Sequence, residues 1–344
     1  MLTAELIQRQ QGAIEVVEGH KVPDPFVYSP QMVRDLELMD FARRVIGVAR
    51  RWRPGRAVLP APHGGRPPIY RDESVLVTLL VMMVWQVSPE TLVKRMQRWP
   101  DLADACGYSP GQVISASQLR RRREQLGLWV YFITFCALVW VLIGRGVLTG
   151  RDWVIDSTII DAFSAHDAQA GWSFTKRFGY KVHMLICRDS LLPIMFLVSP
   201  ANRNDAPWAV PLMRVALLLF RLPVAVVRAD AAYFTRPILA FITGVLRATP
   251  LVVYNPRKRG KKAPVTRHWA AEERRNRGKR GYIERFFAVL KRYFRLNHLQ
   301  AQGARRAYRH AFEVCLAVLL VAWLADTLGR PDLLHARSRI LAPC

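Results

Sequence analysis

The stretch Trp153-Val154-Ile155-Asp156-Ser157-Thr158 marks the point at which the sequence changes from helical to strand-like periodicity. It is short, apolar and rich in β-branched residues, which is typical of a buried strand. Similar runs follow it at Tyr180–Cys187, Leu191–Ser199, Pro223–Arg228 and Pro250–Tyr254. With the segments between them, the order is strand, strand, strand, helix, strand, helix, strand, loop, helix. That order predicts a mixed α/β domain built on one sheet.

The helices of this domain are predicted from apolar residues that recur at helical spacing. They span Asp205–Phe220, Pro237–Val245, Tyr282–Arg295 and Ala304–Leu328, and Arg188-Asp189-Ser190 suits a hairpin turn. Asn204 or Asp205 lies near the first residue of the first helix, where a short polar side chain commonly acts as N-cap.

The sequence before residue 150 predicts helices only. Residues 1–29 form an irregular arm, 32–52 a helix, 53–72 a basic linker and 72–87 a buried helix that is followed by an N-cap at Ser88. A short helix over 102–106 precedes a turn, and Ser117 opens a helix that carries Arg120, Arg121, Arg122 and Arg123. Short helices that end in an arginine cluster resemble a helix-turn-helix DNA-binding module, and a solvated basic helix face is the alternative.

The predicted domains are therefore an arm and helix at 1–65, an all-α DNA-binding region at 66–149, a catalytic domain at 150–330 and a tail at 331–344. The 344 residues contain 51 Lys and Arg against 26 Asp and Glu, a net charge of +25. So large an excess attracts polyanions, and nucleic acid is the commonest of these. A merely basic soluble protein, or an arginine-rich proteome, is the alternative.

Five cysteines, with no C-x-x-C or Cys/His ligand spacing, argue against a disulfide framework and a structural zinc site. The opening residues do not resemble a secretory signal, so we expect a cytoplasmic protein. Three apolar runs, 75–87, 128–143 and 314–325, raise a membrane alternative. The longest has 16 residues, fewer than the roughly 18–20 that span a bilayer, so buried helices are the better interpretation.

Three carboxylates are the candidate catalytic residues. Asp156 lies inside an apolar strand, where a carboxylate is costly to bury unless it binds a cation or another partner. Asp230 follows the run 225–229 at the carboxyl end of another strand, which is where ligands bind in open α/β sheets. For either residue alone, a helix cap or a structural ion pair is at least as good an explanation.

The third carboxylate, Glu284, lies beside the apolar face of the helix that starts near Tyr282. Helical geometry aligns it with Arg280 and Lys291, at spacings of four and seven residues. A glutamate in this position can point into a site at the sheet edge. An exposed, ion-paired helix face is the alternative.

Three motifs taken together make a family resemblance. Val-Ile-Asp-Ser-Thr at 154–158, Ala-Asp-Ala-Ala-Tyr at 229–233 and Arg-x3-Glu-x6-Lys at 280–291 occur in the order found in bacterial insertion-sequence DDE transposases. The sequence resembles the broad group that contains insertion-sequence families four and five, over roughly residues 66–328. The family pattern also has a Tyr three positions before the first Arg of the last motif, where this sequence has Arg277.

The resemblance implies an RNase H-like mixed sheet flanked by helices, with an all-α N-terminal DNA-binding region. It implies that Asp156, Asp230 and Glu284 hold two Mg²⁺ ions, for which Mn²⁺ can substitute. Asp156 would bridge the ions, and the other two acids would each complete one coordination sphere. Hard cations prefer carboxylate oxygens and accept substrate phosphate oxygens as further ligands. Water would cut DNA at the ends of the element, and the 3′-hydroxyl would then attack target DNA.

The implied partners are double-stranded DNA, as terminal inverted repeats and target, and a second copy of the chain, without a membrane. The implied location is the cytoplasm, with the nucleoid. Lys181, Arg280 and Lys291 are expected to touch DNA phosphates, against the alternatives of a solvent-facing lysine and of ion pairs with Glu284. The basic stretch 255–280 is expected to clamp DNA.

Several other residues receive plainer interpretations. Tyr254, Trp269 and Tyr282 could stack on an unpaired base, although core packing is the safer interpretation. Asp161, His166 and Asp167 are interpreted as loop residues.

Other functions remain open at this point. One is an RNase H-like nuclease without joining activity, such as a domesticated element. Another is a DNA-binding protein derived from an inactive transposase, and a membrane protein is the least favoured.

Overall fold

The computed structural model describes residues 30–51, 70–109, 111–253 and 281–340. The predicted arm at 1–29, most of the linker at 53–72 and the basic stretch at 255–280 lie outside these ranges. The chain divides into two compact units, one of residues 1–137 with 316–344 and one of residues 138–315.

The first unit is helical, as predicted. Its helices are α1 (Pro30–Arg51), α2 (Asp72–Trp85), α3 (Pro89–Arg98), α4 (Pro100–Ala105) and α5 (Ala116–Gln125), and α6 (Leu128–Gly144) begins in it. Two short helical turns, Pro331–Leu333 and Arg337–Ile340, lie in what was expected to be a tail. Leu333 is buried, and the Arg337 guanidinium donates to the Val84 carbonyl at 2.9 Å.

Two of the N-caps can be compared with prediction. The Ser88 hydroxyl accepts from the Thr91 N–H ahead of Pro89, which confirms the first prediction. The cap of α5 is Ser115 rather than Ser117, because Gln118 lies three residues after Ser115 and completes a capping box.

The second unit contains the sheet. Its strands are β1 (Asp152–Asp161), β2 (Gly171–Trp172), β3 (Phe178–Cys187), β4 (Leu192–Pro200), β5 (Val226–Ala229) and β6 (Thr249–Val252). Its helices are α7 (Ala206–Phe220), α8 (Arg236–Ala240) and α9 (Gly281–Tyr293), and α10 (Ala304–Thr327) begins in it. One π-helical turn, Phe241–Val245, continues α8.

The six-stranded sheet has an RNase H-like order, which confirms the predicted fold class. β3 pairs antiparallel with both β1 and β4, while β5 runs parallel to β1 and β6 runs parallel to β5. β1, β3 and β4 thus form an antiparallel set, and β5 and β6 continue the sheet parallel to β1. A strand that runs parallel to its neighbour needs a crossover connection, here helical, which brings the chain back to the end of the sheet where that neighbour began.

Helices cover both faces of this sheet. Asp156 is level with Met184, which is level with Phe196, so these three side chains point to one face. The Phe196 ring contacts the Phe312 ring at 4.6 Å, which puts the first half of α10 over that face.

The opposite face carries α7. Ser157 is level with His183, and the His183 ring stacks on Trp208 of α7 with 5.2 Å between ring centroids. The two sides of β1 therefore meet different environments, and Asp156 and Ser157 point into different ones.

One helix of the described chain, Ala304–Thr327, is long and apolar enough to cross a membrane, and up to three spans result if each of two bent helix pairs counts as one. The apolar run at 314–325 is too short to cross a bilayer, but the helix that contains it has 24 residues. Its most apolar window is 89% buried inside the protein, as a core helix would be.

Candidate active site

Asp156 lies on β1, and Asp230 directly follows β5, the neighbouring strand that runs parallel to β1. The pairs Asp152 with Val226, Trp153 with Val227 and Val154 with Arg228 share a constant offset of 74 positions. Two residues further along, the same offset brings Asp156 level with Asp230. Adjacent strands lie about 4.8 Å apart, and level residues point to the same face, so the two carboxylates are neighbours at the carboxyl end of β5.

The register of these strands is fixed by an ion pair on the same face. The Arg228 guanidinium on β5 donates to the Asp152 carboxylate on β1, at 2.9 Å and 3.0 Å. Both side chains are largely buried. A one-residue slip would turn the side chains of β5 to the opposite face, so this pair helps to keep Asp156 and Asp230 together.

Backbone N–H groups orient one oxygen of each carboxylate. The Ser157 N–H donates to Asp156 Oδ1 at 2.7 Å. The Ala232 N–H donates to Asp230 Oδ1 at 2.8 Å, because Asp230 caps a short 3₁₀ turn that spans Ala231–Tyr233. Both carboxylates are therefore held by local backbone before any ligand arrives.

Tyr233 at the end of this turn reports on the charges around it. Its pKa is raised well above the ordinary value of 10.0, first by burial and then by the carboxylates of Asp205, Asp156 and Asp230. Three carboxylates therefore lie within electrostatic range of one buried phenol. In the sequence Tyr233 is recognisable only as part of the motif at 229–233, and nothing there indicates this position.

Helix α9, which carries Glu284, runs beside β1. The Arg188 guanidinium lies over the Tyr282 ring at 5.3 Å, and the Arg188 N–H donates to the Asp152 carbonyl at 2.8 Å. Near the other end of α9, burial and the nearby Arg177 lower the pKa of Lys291, and Asp161 opposes them. The helix therefore extends from the start of β1 to its end. Glu284 lies between these anchor points.

The structure does not gather all three predicted acids. The Glu284 side chain is exposed. Within the described residues, no group of three or more His, Cys, Asp or Glu side chains is close enough to hold a metal ion. Asp156 and Asp230 are thus brought together, while Glu284 lies on the adjacent helix outside that pair.

A third aspartate, Asp205, forms a polar cluster on the opposite face of β1. Its carboxylate accepts from the Ser157 hydroxyl at 2.7 Å and lies 3.1 Å from the Lys181 ammonium. His183 Nδ1 lies 3.4 Å away, and His183 Nε2 is 2.8 Å from the Ser199 hydroxyl. Burial lowers the pKa of His183 to about 4, against the opposing effect of Asp205, so the ring is neutral near pH 7.

This cluster corrects the N-cap interpretation of Asp205. The residue does precede α7, but its side chain makes no cap hydrogen bond. The carboxylate is instead drawn to the hydroxyl and ammonium donors on β1 and β3, which are stronger partners than a helix N–H. His183 and Ser157 were missed as site residues, because nothing in a strand's periodicity indicates which polar side chains meet.

Two of the predicted DNA-contacting cations have internal partners. The Lys181 ammonium also donates to the Arg203 carbonyl at 2.9 Å, and its side chain is only 13% exposed. Arg122 pairs with Asp72 and is 19% exposed. A DNA contact by either residue would have to compete with these partners.

The other predicted DNA contacts are less constrained. Arg120 pairs with Glu90 at the surface, Arg121 is exposed, and Arg123 is half-buried. Arg280 lies outside the described residues, as do Tyr254 and Trp269.

The residues at the acid pair fit a hard divalent cation. Both are carboxylates, the ligand type that Mg²⁺ prefers, and each has an oxygen already oriented by the backbone. Two carboxylates so close together repel each other, and a bound cation would remove that repulsion. Asp156, Asp230 and, from α9, Glu284 are the residues that would hold it.

Comparison with known proteins bears on this site. The family model described as "Transposase DDE domain" matches residues 150–320. A search of the curated proteins gave no match.

Among solved structures, the chain is similar to the piggyBac transposase in a synaptic complex with hairpin DNA. The identity is 9% and the TM-score 0.43, over 92% of this chain and 81% of that one. At that TM-score the likeness supports no conclusion about the site.

The matched range contains the whole sheet, both level aspartates and the helix that carries Glu284. The chain therefore belongs to the DDE transposases, and the sheet described above is its transposase domain.

Proposed function

We propose that this DNA transposase cuts DNA at the ends of a bacterial insertion sequence and joins the resulting 3′-hydroxyl to target DNA. Asp156, Asp230 and Glu284 are its catalytic carboxylates. The observation that carries the proposal is the level pair Asp156 and Asp230, oriented by backbone N–H groups at the carboxyl end of β5. Such a pair suits phosphoryl transfer, which is catalysed mostly by positioning and charge stabilisation.

Two Mg²⁺ ions, or Mn²⁺ in their place, would stabilise the attacking and leaving oxygens of an in-line displacement. The chain's own contribution is to fix its carboxylates beforehand. Asp156 is held by the middle of a ten-residue strand and Asp230 by the turn that it caps. Glu284 comes from a helix anchored at both ends beside β1, and its exposed side chain would complete the set of acids when DNA and metal are bound.

The DNA partners proposed are the terminal inverted repeats and the target duplex, bound by a homodimer in the bacterial cytoplasm. The net charge of +25 supports a polyanionic partner. Lys291, Arg280 and Lys181 would contact phosphates near the cut. The four arginines of α5, Arg120, Arg121, Arg122 and Arg123, would contact the element ends.

The test is a cleavage and strand-transfer assay on DNA that carries the native element ends, with Mg²⁺ or Mn²⁺. We expect Asp156→Asn, Asp230→Asn and Glu284→Gln each to abolish cutting and joining while DNA binding persists. Asp189→Asn is the matched control, because Asp189 is an exposed carboxylate of the same unit and should leave activity unchanged.

Three outcomes would contradict this assignment. Cutting that survives Glu284→Gln would remove that residue from the site. A wild type that cuts without joining would instead favour a nuclease, and one that binds its ends without cutting would favour a catalytically silent derivative.

A further inference from the structure

Exposed aromatic side chains are concentrated in one part of the transposase domain. Among the described residues, three of the four exposed Phe and Trp side chains lie between β1 and β3, at residues 162–177, which we call the aromatic segment. They are Phe163 (61% exposed), Trp172 (65%) and Phe174 (104%). Exposing that much apolar surface together is unfavourable unless a ligand covers it.

The backbone of the aromatic segment is nevertheless held firmly. Asp167 is buried, and its carboxylate accepts from the Tyr180 hydroxyl at 2.8 Å and the Gly303 N–H at 2.9 Å. Gln169 Oε1 accepts from the Ala304 N–H at 2.7 Å. These bonds tie the segment to β3 and to the start of α10, so the aromatic side chains are presented on a fixed frame.

Phe174 stands at the tip of a tight turn. The Ser173 N–H donates to the Arg177 carbonyl at 2.7 Å, and the Lys176 N–H donates to the Ser173 carbonyl at 3.0 Å. Lys176 adopts a left-handed backbone conformation, with φ of 57°, which closes the turn. Phe174 is fully exposed on this turn, two residues after Trp172, whose ring centroid lies 5.3 Å from that of Phe178.

The charges around the turn favour a polyanion. Lys176 is exposed, and Lys291 of α9 lies near Arg177. Arg177 is bound at 2.8 Å and 2.7 Å by Asp161, the acid that faces this group from β1. Arg177 and Lys291 therefore lie near one carboxylate, and Lys176 adds an exposed positive charge next to Arg177 in the sequence. Exposed aromatic rings together with cations suit a nucleic acid, which offers bases for stacking and phosphates for charge pairing.

The aromatic segment is within reach of DNA held at the acid pair. Asp161 and Gly171 are both level with Gly179, so Trp172 lies six positions along the strand direction from Asp156 and two strands away from it. With a rise of about 3.3 Å per residue and about 4.8 Å between strands, Trp172 is about 22 Å from Asp156. Successive nucleotides of one strand are about 3.4 Å apart, so this distance corresponds to about six nucleotides.

We propose that Trp172 and Phe174 stack on an unpaired base of the DNA, about six nucleotides from the cut phosphate. The proposal rests on the proposed function for the identity of the ligand. Bases inside a duplex have no free face, so the ligand is a base that has left the stack. Lys176, Arg177 and Lys291 hold the flanking phosphates.

The test measures binding of the full-length protein, without divalent metal, to a perfect duplex and to the same duplex with one unpaired thymine. Wild type should prefer the unpaired base. Trp172→Ala and Phe174→Ala should each reduce affinity for that probe by about 5-fold to 100-fold, with little change on the perfect duplex. Leu218→Ala, which removes an exposed apolar side chain of α7, is the control and should change neither.

Conservative variants separate stacking from general apolar contact. Phe174→Tyr keeps an aromatic face and should keep the preference, whereas Phe174→Leu should lose it. With 2-aminopurine beside the unpaired position, wild type and Phe174→Tyr should quench its fluorescence, and Phe174→Leu should not.

Three results would overturn the proposal. Equal binding of both duplexes by wild type would reject it, and so would a preference that survives the double substitution of Trp172 and Phe174. A Phe174→Leu variant that behaves like wild type would show that the ring makes a general apolar contact, such as one with a second copy of the chain, and does not stack on a base. None of these affects the cleavage assay, whereas cutting that survives Asp156→Asn would reject the catalytic assignment alone. A wild type that binds no DNA would reject both.

Discussion

Helix α5 and the aromatic segment are two surfaces proposed to contact DNA, and they differ in how far sequence predicts them. Helix α5 carries four consecutive arginines, a signal visible without any structure. In the folded chain Arg120 pairs with Glu90 and Arg122 pairs with Asp72. The aromatic segment has no periodicity that predicts a binding surface, yet three large aromatic side chains are exposed on it. Some arginines of a charged run form ion pairs within the protein, so the run overstates the charge left for DNA. The exposure of an aromatic side chain is known only from the folded structure.

The largest expected effect concerns the anchor of the aromatic segment. Asp167→Ala removes a buried acceptor and leaves the Tyr180 hydroxyl and the Gly303 N–H without it. We expect a loss of about 3–5 kcal/mol in the free energy of unfolding, measured by urea denaturation. Asp161→Ala, at the exposed end of β1, is the control and should cost about 1 kcal/mol or less. Equal losses would mean that the segment is not anchored through Asp167.

The same anchor predicts a pH dependence. Burial alone would raise the pKa of Asp167, but hydrogen bonds from Gly303, Tyr180 and Gln169 outweigh it and hold the pKa below its ordinary value of 3.8. A carboxylate with a lowered folded pKa contributes stability above the unfolded pKa, and this contribution is lost as pH falls through the folded pKa. Asp167→Asn should therefore flatten the acid side of the stability curve below about pH 4. An unchanged acid slope would contradict this.

A smaller effect separates neighbouring arginines of α5. Arg122→Ala breaks the partly buried pair with Asp72 and should destabilise the protein by about 1 kcal/mol. Arg121 is exposed, so Arg121→Ala should leave stability unchanged. If the helix contacts DNA, Arg121→Ala should also reduce the slope of log affinity against log salt concentration by about 1. A change of that size corresponds to the loss of one phosphate contact. The reverse pattern would assign the DNA contact to Arg122.

The smallest effect is expected at the tip of the aromatic segment. Phe174 is fully exposed, so Phe174→Ala should change the unfolding free energy by no more than about 0.5 kcal/mol. Its thermal unfolding curve should overlay that of wild type, in contrast to Asp167→Ala. A clear destabilisation would show that the ring is packed in solution, and it would remove the free surface on which the stacking proposal depends.

Much of the fold was predictable because its signals are local. Apolar periodicity predicted every strand of the sheet except the two-residue β2, and the helices between the strands, to within a few residues. Ser88 and Pro89 predicted the start of α3. One boundary moved for a local reason, because Gln118 makes Ser115 rather than Ser117 the cap of α5. Another moved because of pairing across the sheet: β1 extends three residues beyond Thr158, where β3 pairs with it.

The site was predictable only in part. Asp156 and Asp230 were recognisable from their places on strands and from motif order, but their level register follows from pairing between segments more than seventy residues apart. The role of Asp205 was misjudged, because its partners Lys181 and His183 lie on β3, which is distant from Asp205 in the sequence. Asp167 was interpreted as a loop residue, since nothing near it indicates burial.

By itself, then, the sequence determined the order of strands and helices, the cationic character of the chain, and the motifs that indicate a DDE transposase. These depend on residue type and short-range spacing, which folding does not alter. Only the tertiary structure decided which charges are used internally, as at Arg122, Lys181 and Asp205, and which aromatic side chains remain exposed, as at Trp172 and Phe174. The physical reason is that burial and pairing depend on residues distant in sequence, which are brought together when the sheet forms.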